Sequence, residues 1–387
     1  MSRLWTHDFV RMYISNMLLF ASLYMLLPVL PLYMVDHFDT TIATAGGVLA
    51  LFAVSMFFAG SFYNYLIDAY RRKTVCMLAY FMVIAILGGY TIVHSLLWMI
   101  VLRMAQGMLF GITTTMGSTL TIDITASTKR SEANTCYSWA SRLGMVFGPM
   151  IGILLYKYQG LDMVIYASMF LGVIGLLFIS LVTVPFRAPM GTSLCSLDRF
   201  LLLKAWLPAL NLMLVSFVFG MLLTTINMYA ESFLMQDITI RFFGLMGVGF
   251  LIAMIASRFV FANADVRAQI VSGLILMGVS LLLIITHPEQ MALITAAVML
   301  GLGFGLVASD FLLIFVNMSE HCQRGTANTT YLLSWETGTG LGVVIGCYLI
   351  ENIDCVTVFD AGIVATVLAL IMYLTLTHPY YKKYNVR

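Results

Sequence analysis

Charge is what this sequence has least of. Only 10% of its 387 residues are Asp, Glu, Lys or Arg, against about 25% in a typical soluble domain. That shortage excludes a soluble globular enzyme, and a disordered chain too, since disorder goes with low hydrophobicity and high charge. Cysteines set out for chemistry are missing as well. The six present (Cys76, Cys136, Cys195, Cys322, Cys347 and Cys355) form no C-x-x-C pair and no regular spacing. They read as isolated reduced thiols, neither a disulfide frame nor a metal site. No H-E-x-x-H, no G-x-S-x-G and no G-x-x-x-x-G-K-[ST] occurs, which leaves zinc peptidase, serine hydrolase and ATP-driven pump without support. No T-V-G-Y-G filter argues for a channel. The net charge of +2 gives no sign of a nucleic-acid partner, and none is expected.

What fills the space is apolar: 61% of the residues are hydrophobic, and they come in continuous runs. A transmembrane helix needs about 20 such residues. A membrane β-barrel would alternate apolar and polar positions over about ten residues instead. Twelve runs are bounded by charges or turn residues: 12–35, 43–66, 74–94, 97–123, 134–157, 161–185, 203–230, 241–261, 268–286, 291–318, 328–350 and 356–377. The first lacks a small-residue cleavage site and reads as a retained helix. The chain is therefore expected to be an all-α integral membrane protein that contacts lipid along most of its length.

Basic residues set the orientation, because cytoplasmic loops carry the excess of Lys and Arg. With the N-terminus inside, 16 of the 20 Lys and Arg lie on the cytoplasmic side, Lys157 and Arg241 lie outside, and Arg103 and Arg142 fall within spans. Both termini are expected in the cytoplasm, in the plasma (inner) membrane. The longest connection, 186–202, carries Pro189, Gly191 and several Ser and Thr at the chain's midpoint. It divides the chain into six-helix halves, 1–185 and 203–387. The halves resemble one another. A shift of 194 lays Gln106–Thr135 without gaps on Leu300–Thr329, placing Gly107 on Gly301, Arg130 on Arg324 and Ala133-Asn134-Thr135 on Ala327-Asn328-Thr329. Gly144, Gly148 and Gly152 fall on Gly338, Gly342 and Gly346. Parallel six-helix repeats are a transporter architecture with the substrate site between them near the midplane.

Three motifs carry a family resemblance. Asn64-Tyr65-Leu66-Ile67-Asp68-Ala69-Tyr70-Arg71-Arg72-Lys73 stands between the second and third runs. Arg103-Met104-Ala105-Gln106-Gly107 lies in the fourth, and Gly144-Met145-Val146-Phe147-Gly148-Pro149-Met150-Ile151-Gly152 in the fifth. In these and in its layout the chain resembles the major facilitator superfamily, and within it the 12-helix drug:proton antiporter group. The first stretch is similar to motif A, with Leu66, Asp68, Arg72 and Lys73 matching and Asn64 and Arg71 standing where the pattern has glycine. The resemblance implies a gating charge cluster of Asp68, Arg72 and Lys73, joined by Asp123 at the end of the fourth helix. The second is similar to motif B, which implies a coupling or substrate role for Arg103. The third matches motif C, which in the family marks antiporters and here is Gly144, Gly148, Pro149 and Gly152. Glycines four apart open a groove for a neighbouring helix, and Pro149 removes a backbone hydrogen bond and permits a bend. Pro28-Val29-Leu30-Pro31 resembles part of motif D.

Two acids in the second half stand out without any family. Asp310 and Glu336 each lie about eight residues from the cytoplasmic ends of consecutive spans, roughly 12 Å deep at 1.5 Å per residue. Antiparallel neighbours bring such residues to one depth, where a carboxyl pair in low dielectric takes up protons near neutral pH. Arg142 is the repeat mate of Glu336 and is expected at a similar depth in the other half, as counter-ion or anion-binding charge. The expectation is a proton-coupled exporter of small, fairly apolar molecules, monomeric, cofactor-free and working by alternating access. The alternative is uptake or facilitated transport of a nutrient, metabolite or lipid-like substrate.

Overall fold

The computed structural model describes residues 4–185, 200–232, 238–259, 265–320 and 323–385. Most of the 186–202 linker, with Cys195 and Cys322, lies outside them. For Asp68 and Arg324 the description covers the backbone alone. The described residues form helices and connections, with no strand. In order they are α1 (His7–Tyr24), α2 (Leu30–Phe38), α3 (Ile42–Ala69), α4 (Arg72–Gly89), α5 (Leu96–Asp123), α6 (Arg130–Gln159), α7 (Leu161–Ser180), α8 (Trp206–Ser232), α9 (Ile238–Phe259), α10 (Val266–Thr286), α11 (Gln290–Asn317), α12 (Arg324–Asn352), α13 (Cys355–Met372) and α14 (His378–Tyr384). Eleven of the described helical segments are long and apolar enough to cross a membrane.

The first expected span, 12–35, is not one helix. α1 ends at Tyr24, residues 25–29 turn, and α2 begins at Leu30. The reason is Pro28 followed by Pro31: proline has no N–H to continue the ladder and displaces the residue before it from the helical region. Tight i→i−3 bonds bridge the gap, Leu26 N to Leu23 O at 3.3 Å and Val29 N to Leu26 O at 3.2 Å. Elsewhere helix ends are fixed by local chemistry. Thr6, Thr41, Ser95, Asp265 and Asp354 cap their helices by accepting a backbone N–H, as short polar side chains do. Between α6 and α7 the whole connection is Gly160 at φ +79°, a conformation open to glycine at no steric cost. The last expected span, 356–377, passes from α13 into a π-helical turn, Tyr373–Thr377, before α14.

The sequence repeat returns as a packing repeat. α1 packs on α6 and α7, α3 and α4 on α5, and α4 on α7. In the second half α8 packs on α12 and α13, α9 and α10 on α11, and α10 on α13. Two further contacts join the halves symmetrically, α3 with α12 and α6 with α9. Glycines let these helices approach. A Cβ on Gly107 would run into the carbonyl of Phe52, and one on Gly301 into that of Met246, the same contact 194 residues on. Motif C does the same work on α6. Gly144, Gly148 and Gly152 face the carbonyls of Met17, Ala21 and Met25 on α1 and its break. Their mates on α12 face α8: Gly338 meets Met213, Gly342 meets Phe217 and Gly346 meets Met221.

Candidate functional site

The α3–α12 and α6–α9 contacts bring charged residues of both halves to the molecule's centre. Glu336 lies on α12 and is 4% exposed. Both its oxygens accept from the Tyr24 hydroxyl at the end of α1, at 2.9 and 3.0 Å. Tyr24 is itself held between rings, with Phe20 at 6.3 Å and Phe219 at 6.2 Å. Just before Glu336 on α12, Trp335 and, one turn earlier, Tyr331 offer their faces to Arg142 of α6, whose guanidinium carbon sits 3.7 and 5.0 Å from the two ring centres. A desolvated cation over two aromatic faces gains about 2 kcal/mol or more. Arg142 also donates from Nη1 to the Met145 sulfur at 2.9 Å, while its Nε and Nη2 are buried without a partner. Arg142 and Glu336 are close enough for their charges to interact but make no salt bridge. Arg142 of the first half thus lies beside the stretch of α12 that carries Glu336.

Arg103 on α5 is 2% exposed, so it does not snorkel to the interface. Its Nη1 donates to Gln106 Oε1 at 3.0 Å, and the Tyr90 hydroxyl donates to the same oxygen at 2.6 Å. Its Nε and Nη2 are buried and unpaired. Inside a membrane such groups face a cavity or a partner, and here they face a cavity. A space of about 30 Å³ is lined by Arg103 and Glu336 at its polar points and by Leu23, Leu49, Phe52 and Val343 around them. Two further spaces meet at Arg142. One, also about 30 Å³, is walled by Asn16, Thr114, Thr115, Ser118, Ser138, Ser141 and the start of α12. The other, about 10 Å³, is walled by Met145, Phe219, Met246, Phe250, Phe304 and Trp335. Tyr24, Glu336, Arg142 and Trp335 thus stand between the hydroxyl-lined space near the starts of α6 and α12 and the apolar space of Arg103 and Glu336, which runs on to Gly340 and Val343 of α12. Beyond the apolar space the halves are shut. Cys347 of α12 fills the gap at Gly46 of α3, and Glu351 accepts from Ala43 N at 2.7 Å.

Asp310 does not join this layer. It is 6% exposed with Oδ2 unpaired, and the group that feels its charge is Tyr373 of the π-helical turn, not Glu336. Depth follows from counting residues, but direction depends on which face of α11 the side chain leaves, and α11 turns Asp310 toward the chain's last helices.

The motif A cluster is partly assembled at the other helix ends. Arg72 at the start of α4 pairs with Asp123 at the end of α5 at 2.6 Å, with 3% of the Asp123 side chain exposed. Asp68, expected to complete it, has a side chain outside the described residues. Lys73 turns elsewhere, donating to the carbonyls of Ser180 and Val182 at 2.7 and 2.8 Å past the end of α7. Arg11 donates to Leu181 O at 2.8 Å, so two cations sit at the carbonyl end of one helix, where the dipole favours them. Sequence reasoning missed Tyr24, Trp335 and Tyr331. The signal present in the sequence was an aromatic pair four apart, Tyr331 and Trp335, just before an intramembrane acid.

With this geometry in view, the sequence matches the family model of the Major Facilitator Superfamily over residues 12–208 and 212–386. The fold is similar to that of the human organic anion transporter MFSD10 (TETRAN), with a TM-score of 0.72 and 17% identity, covering 95% of this chain and 98% of that one. It is also similar to a variant of the nucleoside transporter NupG, with a TM-score of 0.70 and 15% identity, covering 95% of this chain and 99% of that one. At such identities the likeness is one of fold. No curated protein sequence matches the chain.

Proposed function

The chain belongs to the Major Facilitator Superfamily and is a multi-pass membrane protein that performs secondary transport; from that premise we propose that it exports small, fairly apolar molecules in exchange for protons, by alternating access. The moving bodies are residues 1–185 and 203–387, joined by the 186–202 linker, in a monomer whose termini face the cytoplasm from the plasma (inner) membrane. The observation that carries this reading is the Tyr24–Glu336 hydrogen bond. It joins α1 of one half to α12 of the other at a buried carboxylate, with Arg142 nearby. A carboxylate accepts from Tyr24 through both oxygens, whereas a protonated carboxyl must place its own O–H. Protonation therefore acts directly on a contact between the halves and uncovers the charge of Arg142. A two-state carrier responds to a proton only if the proton binds its two states differently, and this bond supplies the difference.

The other residues have supporting roles. Arg103 lines the same small space as Glu336 and serves coupling or substrate contact there. Asp310 is the alternative proton-coupling residue, remote from Glu336. The Arg72–Asp123 pair, with Asp68 and Lys73, holds the cytoplasmic helix ends together in one of the two states. Gly144, Gly148, Pro149 and Gly152 provide the surface on which α6 reseals against α1, and their match to motif C supports antiport.

Binding-linked proton release tests the reading. Purified protein in weakly buffered detergent solution is mixed with candidate substrates and the solution pH is recorded. Wild type is expected to release protons on binding a substrate, and Glu336→Gln to bind it without release. Undiminished release from Glu336→Gln, with Asp310→Asn silent, would move the coupling site to Asp310. Binding with no release from wild type would remove antiport.

A further inference from the structure

Arg142 uses one of its nitrogens on Met145 and leaves Nε and Nη2 buried without an acceptor. A buried donor left unsatisfied costs about 1–3 kcal/mol, and more when charged. The guanidinium N–H groups lie in its plane, and Trp335 covers a face, so the free edge turns toward the spaces that meet there. The hydroxyl-lined space also holds unpartnered acceptors, Asn16 Oδ1 and Thr115 Oγ1. The smaller space at Arg142, about 10 Å³, is an aromatic corner. Phe219, Phe304 and Trp335 surround it with ring centres 5.6, 5.9 and 6.3 Å apart, and Met246 supplies an adaptable wall. Polar donors, polar acceptors and an aromatic seat thus converge on one side chain, as they do in small-molecule sites.

Charge narrows the ligand. The field of Glu336 reaches Arg142, so with the acid ionised the pair is close to neutral. A cationic ligand would meet the guanidinium, and an anionic one would meet the carboxylate, both where a low dielectric strengthens repulsion. We infer that Arg142 anchors the substrate's polar head, and that the substrate is an uncharged molecule with an aromatic body and acceptor oxygens. The aromatic body lies against Phe219, Phe304 and Trp335. The oxygens accept from Arg142, and a donor on the same head reaches Asn16 or Thr115. This rests on the transport reading and adds selection against cations. The spaces are far smaller than the roughly 300–1,000 Å³ of a ligand pocket, so the substrate occupies a form in which the halves stand further apart around Arg142.

The test is equilibrium binding to the purified full chain without a proton gradient. The probes are naphthalene compounds of one skeleton ending in a carboxamide, a carboxylate or a methylammonium group. The carboxamide is expected to bind about tenfold or more tightly than either ion, a gap equal to one lost charge-assisted hydrogen bond. Arg142→Gln should lose that preference, and Arg142→Lys should keep part of it. Tightest binding by the methylammonium compound, or binding of none of the three, overturns the inference on wild type alone, whatever the variants do. An Arg142→Gln protein that melts like wild type and keeps the preference overturns it as well. Proton release is recorded in the same samples. The predicted preference without release would sink antiport and leave the anchor standing, whereas release with a cation preference would do the reverse.

Discussion

Tyr24→Phe removes one oxygen and leaves the ring packing between Phe20 and Phe219 in place. What is lost is the donor to a carboxylate that is 4% exposed, at 2.9 and 3.0 Å. Hydrogen bonds to charged groups contribute about 1.5–3 kcal/mol. Because this one joins the two halves, its loss falls on the closed arrangement and shifts the balance toward the open one by about 10- to 150-fold. A native reporter exists for the opening. Cys347 is buried at 0% exposure against Gly46 of α3, where the halves meet beyond the site. Labelling by a thiol reagent requires that contact to part. Read at Cys347 by mass spectrometry, the labelling rate of Tyr24→Phe should rise by about the same 10- to 150-fold while the open form remains the minority. A rate equal to wild type, in a protein that melts normally, would refute the claim that this bond holds the halves together.

Three further outcomes follow from the same contacts. Gly148→Ala places a Cβ 2.8 Å from the Ala21 carbonyl, whereas Gly47→Ala meets nothing within 4 Å. Overpacking of about 1–3 kcal/mol should lower the melting temperature of the first, and the roughly 1 kcal/mol helix gain of Ala over Gly should leave the second unchanged or raised. Arg72→Gln weakens the 2.6 Å pair with Asp123 and should lower thermal stability by about 1–3 kcal/mol, with Arg72→Lys recovering part of it; equal melting of all three proteins would count against a structural pair. At the helix end before the first span, burial alone would raise the Asp8 carboxyl, but bonds from Thr183 and Arg11 hold it below its ordinary value of 3.8. A depressed acid stabilises fully above that value and loses its effect as the pH falls through the lower folded one. The stability gap between wild type and Asp8→Asn should therefore be constant near neutral pH and close below about pH 4, and a gap that widens in acid would reverse the sign.

Most of the helices were legible because the bilayer demands continuous apolar runs, and the runs at 43–66 and 97–123 lie within a few residues of α3 and α5. The repeat was legible too, since the glycine contacts of Gly107 and Gly301 recur at the same offset. The broken first span was not, although Pro28 and Pro31 were in view, because hydropathy sums over the break that backbone chemistry imposes. At the site, the buried charges announced themselves by their cost in a membrane, and Arg103, Arg142 and Glu336 are all interior. Their partners did not. Tyr24 sits in an apolar run and differs from its neighbours by one hydroxyl. Asp310 and Glu336 were expected together because depth is a count along the helix, while the azimuth that separates them is set by packing between helices. Lys73 was expected to face Asp68, but its long side chain reaches the carbonyl end of α7, a neighbour that no spacing within the loop could show.

The proposed exchange couples substrate to protons at Glu336. Its most direct measurement is uphill flux in sealed vesicles holding oriented protein, with the lumen made acidic and the cytoplasmic face outward. A radiolabelled substrate, chosen by the binding series above, should accumulate in the lumen while protons leave it. Both fluxes should stop in Glu336→Gln, with exchange at equal pH surviving. Accumulation only when protons enter with the substrate, or equal accumulation with and without the gradient, would contradict the account.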